Sequence, residues 1–198
     1  MLLDAHYHDS AAPSWCRMGG RLFVGAHPWY LGDFDEAELV GRLEADATLG
    51  VGEIGLDRLK ERTISPEMRR VFMRQLVIAA YFRRPVVLHG AKCWGEVVEA
   101  CKAFKGQIPA FLFHGFSRSD GLLKDIVELN GFVSVGPAIL NDHAENYRKL
   151  VGIVPRERIL VETDNTPERH NDLAAIYRKV EELYGITPED IKENYGRF

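Results

Sequence analysis

Short, nearly continuous apolar runs alternate along this chain with stretches of helical periodicity, and that rhythm restricts the fold more than any other feature. The runs are LLDAHYH (2–8), RLFVGAH (21–27), LGVGEIGL (49–56), PVVLH (85–89), AFLFH (110–114), FVSVG (132–136) and ILVETD (159–164). Runs of this kind suit strands covered on both faces, as in parallel sheets. Helices fill the gaps. FDEAELVGRLEADA (34–47) opens on acids and spaces Leu39, Val40, Leu43 and Ala47 along one face. SPEMRRVFMRQLVIAAYFRR (65–84) offers Ser65 as N-cap, Pro66 at the first helical position, and an inward stripe of Met68, Phe72, Leu76 and Ala79. Ser119 and Asp120 are read as capping a later helix that ends at Gly131, and TPED (187–190) starts a final short one.

Such βαβα alternation predicts an α/β fold with right-handed crossovers. A full (β/α)8 barrel has eight strands and about 250 residues, whereas this chain has 198 residues. The expectation is a TIM-type (β/α) barrel, shortened and distorted, with seven parallel strands, built as one domain over residues 1–198. The anomaly falls after His8, where DSAAPSWCRMGG (9–20) is barely long enough for a parallel crossover and carries no helical pattern.

Composition excludes several classes. No apolar run approaches the ~20 residues of a membrane span, and MLLDAHYHDS lacks the basic start of a signal peptide. Cys16, Cys93 and Cys101 form no CxxC and no even framework, which fits reduced thiols used for packing in a cytoplasmic protein. A net charge of −4 argues against a protein that coats nucleic acid. It leaves room for an enzyme that holds phosphates through metal ions and a few local cations.

The strands end on a repeated chemistry: His6 and His8, His27, Glu53, His89, His114 and Asp164. In parallel α/β folds, ligands and reactions gather at the C-terminal edge of the sheet, so these side chains converge on one rim. His143 and His170 fall in loops or helices and read as surface residues. A single histidine at a strand end is more often structural than a ligand. A cluster of imidazoles and carboxylates without a metal, however, leaves several buried charges unpaired, which is costly. Histidine mixed with carboxylate and no thiolate suits Zn, Mn, Fe, Ni or Co, with Mg less comfortable. Six ligands (His6, His8, Glu53, His89, His114 and Asp164) exceed what one catalytic zinc takes and suit two divalent ions ~3.5–4 Å apart. Glu53 is the natural bridge, because a carboxylate has two oxygens.

The motifs resemble the TatD family of metal-dependent deoxyribonucleases, within the amidohydrolase-like barrel superfamily. DAHYHD resembles its opening HxH, VGAHPW its GxHP segment, VGEIGLD its GEIGLD motif, PVVLHG its PVxxH strand, FLFHGFS its HxFS strand and ILVETDN its ETD strand. The terminal NYGRF resembles its closing Asn-x-x-Arg-Phe, so the likeness runs along almost the whole chain. The resemblance implies one metal site from His6, His8, Glu53 and Asp164, and a second from Glu53, His89 and His114. It implies catalytic roles for Asp164 and Glu53, with Asp164 orienting or deprotonating a water activated by two divalent ions (Zn, Mn, Mg, Ni or Co). The substrate it implies is DNA or another phosphodiester, contacted by His27 and by Lys92; no membrane role and no protein partner are inferable.

Asp4 shares the parity of His6 and His8 and is a candidate to hold an imidazole tautomer. Gly52 and Gly55 flank Glu53 as points of close backbone approach. Trp15, Trp29, Trp94 and Phe116 lie near motif ends and are candidates to stack on bases. The departures from the family pattern are Ala91 and Lys92 where an arginine is common, Arg118 in FSR, an extra residue in ETDNTP, and shortening after His8 and after Asp164. Two other functions stay open: hydrolysis of a small amide, ester, lactone or aminoacyl-RNA by the same centre, and a non-enzymatic barrel that only retains the ligands. A narrow apolar pocket would favour the small molecule, and an open groove faced by Lys92 and Arg118 the nucleic acid.

Overall fold

The computed structural model describes residues 1–8, 14–117 and 120–198. Gly19 and Gly20 both adopt positive φ (+56° and +92°), the backbone that a two-residue hairpin turn requires. They reverse the chain between β1 (Cys16–Met18) and β2 (Arg21–Val24), which pair antiparallel with Met18 opposite Arg21. This hairpin corrects the expectation of an all-parallel sheet. A segment too short for a crossover helix can still return as a hairpin, and a three-residue strand leaves no periodic signal.

From β2 onward the sheet is parallel and in sequence order: β3 (Gly50–Asp57), β4 (Val86–Ala91), β5 (Phe111–Phe113), β6 (Gly131–Val135) and β7 (Ile159–Val161). Among the described residues the sheet has seven strands, the expected number, but the expected strand over 2–8 is not one of them. Those residues instead run extended between the two sheet edges. Ala5 N–H donates to the Val161 carbonyl (2.8 Å) and Asp164 N–H to that of His6 (2.9 Å), while Tyr7 and Arg17 exchange backbone bonds of 3.2 and 2.8 Å. Residues 5–8 thus stitch the chain after β7 to β1.

Helices cover the outer face. They are α1 (Glu36–Ala45), α2 (Pro66–Tyr81), α3 (Trp94–Lys102), α4 (Leu123–Glu128), α5 (Glu145–Ile153), α6 (Leu173–Tyr184) and α7 (Pro188–Arg197). Ser65 caps α2 as read from the sequence, its hydroxyl accepting from Met68 N–H, and the expected stripe Met68, Phe72, Leu76 and Ala79 is buried. TPED opens α7 through a capping box between Thr187 and Asp190, and the helix runs ten residues rather than stopping short. Gly131 does not terminate α4. Asn130 takes the positive φ (+55°), and Gly131 begins β6, where a Cβ would stand 2.5 Å from the Ile126 carbonyl. The expected Ser119 cap lies outside the described residues, as do residues 9–13 of the shortened segment and Arg118.

The buried apolar side chains, from Phe23 and Leu43 to Ile176 and Ile191, form one cluster on and around the sheet. Cys16, Cys93 and Cys101 are buried and unpaired, and burial pushes the Cys93 thiol up to about 12, so these cysteines are packing residues. No helix among the described residues is long and apolar enough to cross a membrane.

Candidate metal centre

Glu53 owes its position to an irregularity in its strand. Between the pairs Val51–Val86 and Ile54–Leu88, β3 advances one residue more than β4, a bulge that re-aims a side chain. The Glu53 N–H, released from the ladder, donates to the Ser14 carbonyl (3.0 Å). Two residues later Gly55, at φ +155°, lets β3 approach β4. A Cβ there would lie 2.0 Å from the His89 carbonyl oxygen. His89 itself sits within β4, His114 one residue past β5, and Asp164 three past β7. His27 follows β2, and Gln75 fixes the backbone of the residue before it. The buried Gln75 amide accepts from Ala26 N–H (2.7 Å) and donates to the Ala26 carbonyl (3.1 Å).

The other six expected side chains meet around the Glu53 carboxylate, which is 1% exposed. Its Oε2 lies 3.3 Å from His6 Nε2 and 3.1 Å from His8 Nε2. Its Oε1 lies 2.8 Å from His89 Nδ1, 3.0 Å from His114 Nε2 and 3.6 Å from His27 Nε2. Asp164 Oδ1 approaches from the open side, 3.7 Å from His6 Nε2, on a side chain one-third exposed. The two carboxylate oxygens therefore face two separate groups of imidazoles. Among the described residues, three trios have donor atoms within 4.8 Å of one another, close enough to share a metal ion: His6–His8–Asp164, His6–Glu53–His114 and His27–Glu53–His89.

The outward nitrogens of these rings distinguish their roles. His8 Nδ1–H donates to the Trp15 carbonyl (2.9 Å), and His89 Nε2–H to Asp57 Oδ2 (2.8 Å). His114 Nδ1 faces Glu162 Oε1 at 3.4 Å. An imidazole whose outer N–H is engaged by the protein turns its lone pair inward, as a metal ligand must. His27 is the reverse: its Nδ1 accepts from Trp29 N–H (3.1 Å), so in the neutral ring Nε2 carries the proton and points it at the centre.

Electrostatics follow from this crowding. Burial opposes ionisation of Glu53, but the imidazoles of His114, His27 and His6 overcome it and hold the carboxyl well below the usual range. Burial also works against a charged His114, yet Glu53 and Glu162 hold it well above the ordinary imidazole value. His89 is raised, against burial, by Asp57 and Glu53. Burial lowers His6, helped by neighbouring His114, and burial lowers His27. The His6 Nδ1 atom is buried without a hydrogen-bond partner.

Two carboxylates escaped the sequence reading. Asp57 is fully buried at the end of β3 and accepts from His89 and from the N–H groups of Leu59 (2.6 Å) and Lys60 (3.0 Å). Glu162, 1% exposed, backs His114. The available signal was parity: Asp57 is four residues from Glu53, and Glu162 two from Asp164. Asp4 is a correction to the opposite effect. It touches no imidazole; its carboxylate accepts from His6 N–H (3.2 Å), Thr163 N–H (3.0 Å) and Thr163 Oγ1–H (2.6 Å), and so fastens residues 4–6 to the end of β7.

The mouth is a cleft of about 360 Å³ lined by Leu59, His89, Lys92, His114, Ser117 and Asp164, among others. Lys92 and Asp164 hold positive φ (+57° and +50°), strain of a kind that gathers at functional sites. Arg169 donates to Asp164 Oδ2 (2.5 Å) and to its carbonyl, clamping that turn. Of the four aromatics read as candidate stackers, Trp94 and Phe116 are buried against each other (5.4 Å between ring centres). Trp15 lies beneath the Arg42 guanidinium at 4.6 Å, and only Trp29 stands exposed at the rim, 6.1 Å from the His89 ring.

The family described as TatD related DNase matches residues 17–195. Curated relatives include a metal-dependent hydrolase, YabD, of Bacillus subtilis (25% identical over 144 residues, 71% of this chain and 56% of that protein). The 3'-5' RNA nuclease TATDN2 of Homo sapiens is 32% identical over 146 residues, 71% of this chain and 19% of that protein. The 3'-5' ssDNA/RNA exonuclease TatD of Edwardsiella piscicida is 26% identical over 140 residues, 70% of this chain and 53% of that protein. The aligned part thus spans about half or less of each relative's length. Among solved structures, the TatD homologue YjjV of Escherichia coli K12 superposes with a TM-score of 0.77 at 23% identity, over 88% of this chain and 74% of that one. At that identity the likeness concerns the fold.

Proposed function

Because the chain belongs to the TatD related DNase family, we propose that it is a metal-dependent phosphodiesterase that cleaves single-stranded DNA or RNA. The observation that carries the reading is the division of Glu53, whose Oε2 faces His6 and His8 while Oε1 faces His89 and His114. The donor set fits two divalent ions of the Zn, Mn or Co type. It offers inward imidazole lone pairs, carboxylate oxygens and no thiolate, and the partnerless Nδ1 of His6 leaves Nε2 as that ring's one useful donor. His6, His8, Glu53 and Asp164 would hold one ion, and Glu53, His89 and His114 the other.

Bound ions supply an acidified water near neutral pH and an electrophile for a phosphoryl oxygen. The chain supplies the rest. Asp164, partly exposed at the mouth and clamped by Arg169, accepts the proton of the attacking water at Oδ1. His27 presents Nε2–H to a non-bridging phosphate oxygen, since its other nitrogen is held by Trp29 N–H. Lys92, at the cleft wall, neutralises an adjoining phosphate as a point charge. A cleft of about 360 Å³ with the Lys92 cation on its wall favours an anionic strand over a small neutral ester.

Metal stripped and restored under cleavage assays on labelled single-stranded DNA, RNA and small esters tests this. Activity on the polynucleotides returns with the metal, and Asp164→Asn loses about 10²–10⁴-fold while remaining folded. Full activity in folded Asp164→Asn, or hydrolysis of small esters alone, overturns the reading.

A further inference from the structure

Immediately after His27 the chain turns outward and leaves two aromatic side chains in solvent, Trp29 at 43% and Tyr30 at 38% exposed. Large rings on a rim lose favourable burial unless something covers them. Trp29 is held at its backbone, where its N–H donates to His27 Nδ1 (3.1 Å), and its ring packs edge-on against the two imidazoles of the rim. The ring centre is 5.1 Å from that of His27 and 6.1 Å from that of His89. The ammonium of Lys60, whose own N–H is bonded to Asp57, lies 5.9 Å from the Trp29 ring centre and 6.0 Å from that of Tyr30. A fixed aromatic face with a cation beside it, touching the reaction centre, is what single-strand binding sites use: the ring stacks on a base, and the cation neutralises the neighbouring phosphate.

We propose that Trp29, Tyr30 and Lys60 form a subsite that receives the nucleobase and adjoining phosphate of the nucleotide beside the scissile linkage of a single-stranded polynucleotide. The subsite rests on the phosphodiesterase reading above and deepens it by naming the side chains that would hold the strand beside the scissile linkage. Every base has a stacking face, so the subsite is indifferent to sequence. A base inside a duplex keeps its faces on its neighbours, so the subsite selects unpaired strands. Asp57 then ties the two parts together, orienting His89 through one oxygen and holding the Lys60 backbone through the other.

Fluorescence anisotropy with phosphorothioate oligonucleotides, which resist cleavage, separates this subsite from the reaction. The metal-loaded protein is titrated with a single-stranded oligonucleotide, and with the same strand made abasic at the terminal or penultimate nucleotide. Wild type binds the strand lacking the critical base about tenfold more weakly, a typical value for one stacked base. Trp29→Leu binds both strands alike, at the weaker value, while Trp29→Phe keeps most of the preference. Lys60→Met weakens both strands equally and flattens the salt dependence of binding by about one counterion. Equal binding of intact and abasic strands by wild type overturns the subsite, as does an undiminished preference in Trp29→Leu or no binding of either strand. If the base preference holds but no polynucleotide is cleaved by the metal-loaded enzyme, the phosphodiesterase reading fails and the subsite survives as a binding site. Cleavage without base preference has the opposite meaning.

Discussion

Replacing Asp57 with asparagine removes one negative charge from behind His89 while leaving side-chain volume almost unchanged. The two carboxylate oxygens have different tasks: Oδ1 accepts from Leu59 and Lys60 N–H, and Oδ2 accepts from His89 Nε2 at 2.8 Å. An asparagine keeps its single carbonyl oxygen on the two backbone donors, which have no other acceptor, and so turns its NH₂ group toward His89. Two donors then face each other. The imidazole relieves the conflict by moving its proton from Nε2 to Nδ1, where Glu53 Oε1 waits 2.8 Å away. A protonated Nδ1 has no lone pair for an ion. Loss of such an outer partner weakens metal binding by about 10–100-fold, or roughly 1.4–2.7 kcal/mol at 1.36 kcal/mol per tenfold. The charge-assisted hydrogen bond given up is worth about 1.5–3 kcal/mol, which agrees. The assay is competition for Zn or Mn against a fluorescent chelator at pH 7.5, with circular dichroism to establish folding. Nitrogen-15 NMR of the imidazoles reads the tautomer directly. A folded Asp57→Asn protein that binds metal within twofold of wild type refutes the tautomer argument.

Three further outcomes follow from the geometry. In Gly55→Ala the new Cβ meets the His89 carbonyl, backbone that cannot swing aside. The expected loss is about 3 kcal/mol or more, read as a melting temperature lower by roughly 6–12 °C; a shift under 2 °C sinks the close-approach account. Burial lifts the Asp4 carboxyl from 3.8 to about 6. The folded state therefore binds that proton more tightly than the unfolded chain, and the resulting stability is present below pH 4 and lost as pH rises through about 6. Relative to Asp4→Asn, wild type should lose up to about 3 kcal/mol across that window in urea unfolding; parallel curves for the two proteins contradict it. Divalent metal at a free concentration 100 times its Kd should stabilise the fold by about 2.7 kcal/mol over the chelated protein, and identical melting with chelator and with metal counts against a native site.

The clustering of the candidate residues was legible because each ends an apolar run: VVL before His89 and FLF before His114 announce a buried strand and a polar residue at its tip together. What the sequence hid is of two kinds. Cys16–Met18 is too short for periodicity, and its pairing depends on the Gly19–Gly20 turn and on the loss of a crossover helix. Asp57 and Glu162 stand behind the imidazoles, one layer removed, and nothing local to them tells a carboxylate that orients a ligand from one that is a ligand. Parity proposes the face and cannot rank depth on it. Asp4 shows the limit: parity was right, yet residues 2–8 run as a stitch rather than a regular strand, and the carboxylate turned to backbone donors instead of a ring. Trp29 was picked out alongside Trp15, Trp94 and Phe116, and only burial in three dimensions separated them.

The stitch itself has a bearing on how the molecule assembles. Asp4 and Thr163 stand 159 positions apart, and Ala5 finds its hydrogen-bond acceptor at Val161. During synthesis, His6 and His8 emerge before every strand of the sheet and wait for nearly all of it before they have a place to lie. Pairings of such long range carry a large loop-closure entropy and form late. Ions that hold His6 and Asp164 together would then act as a clasp on a ring of chain, locking the last contact made and the first to open.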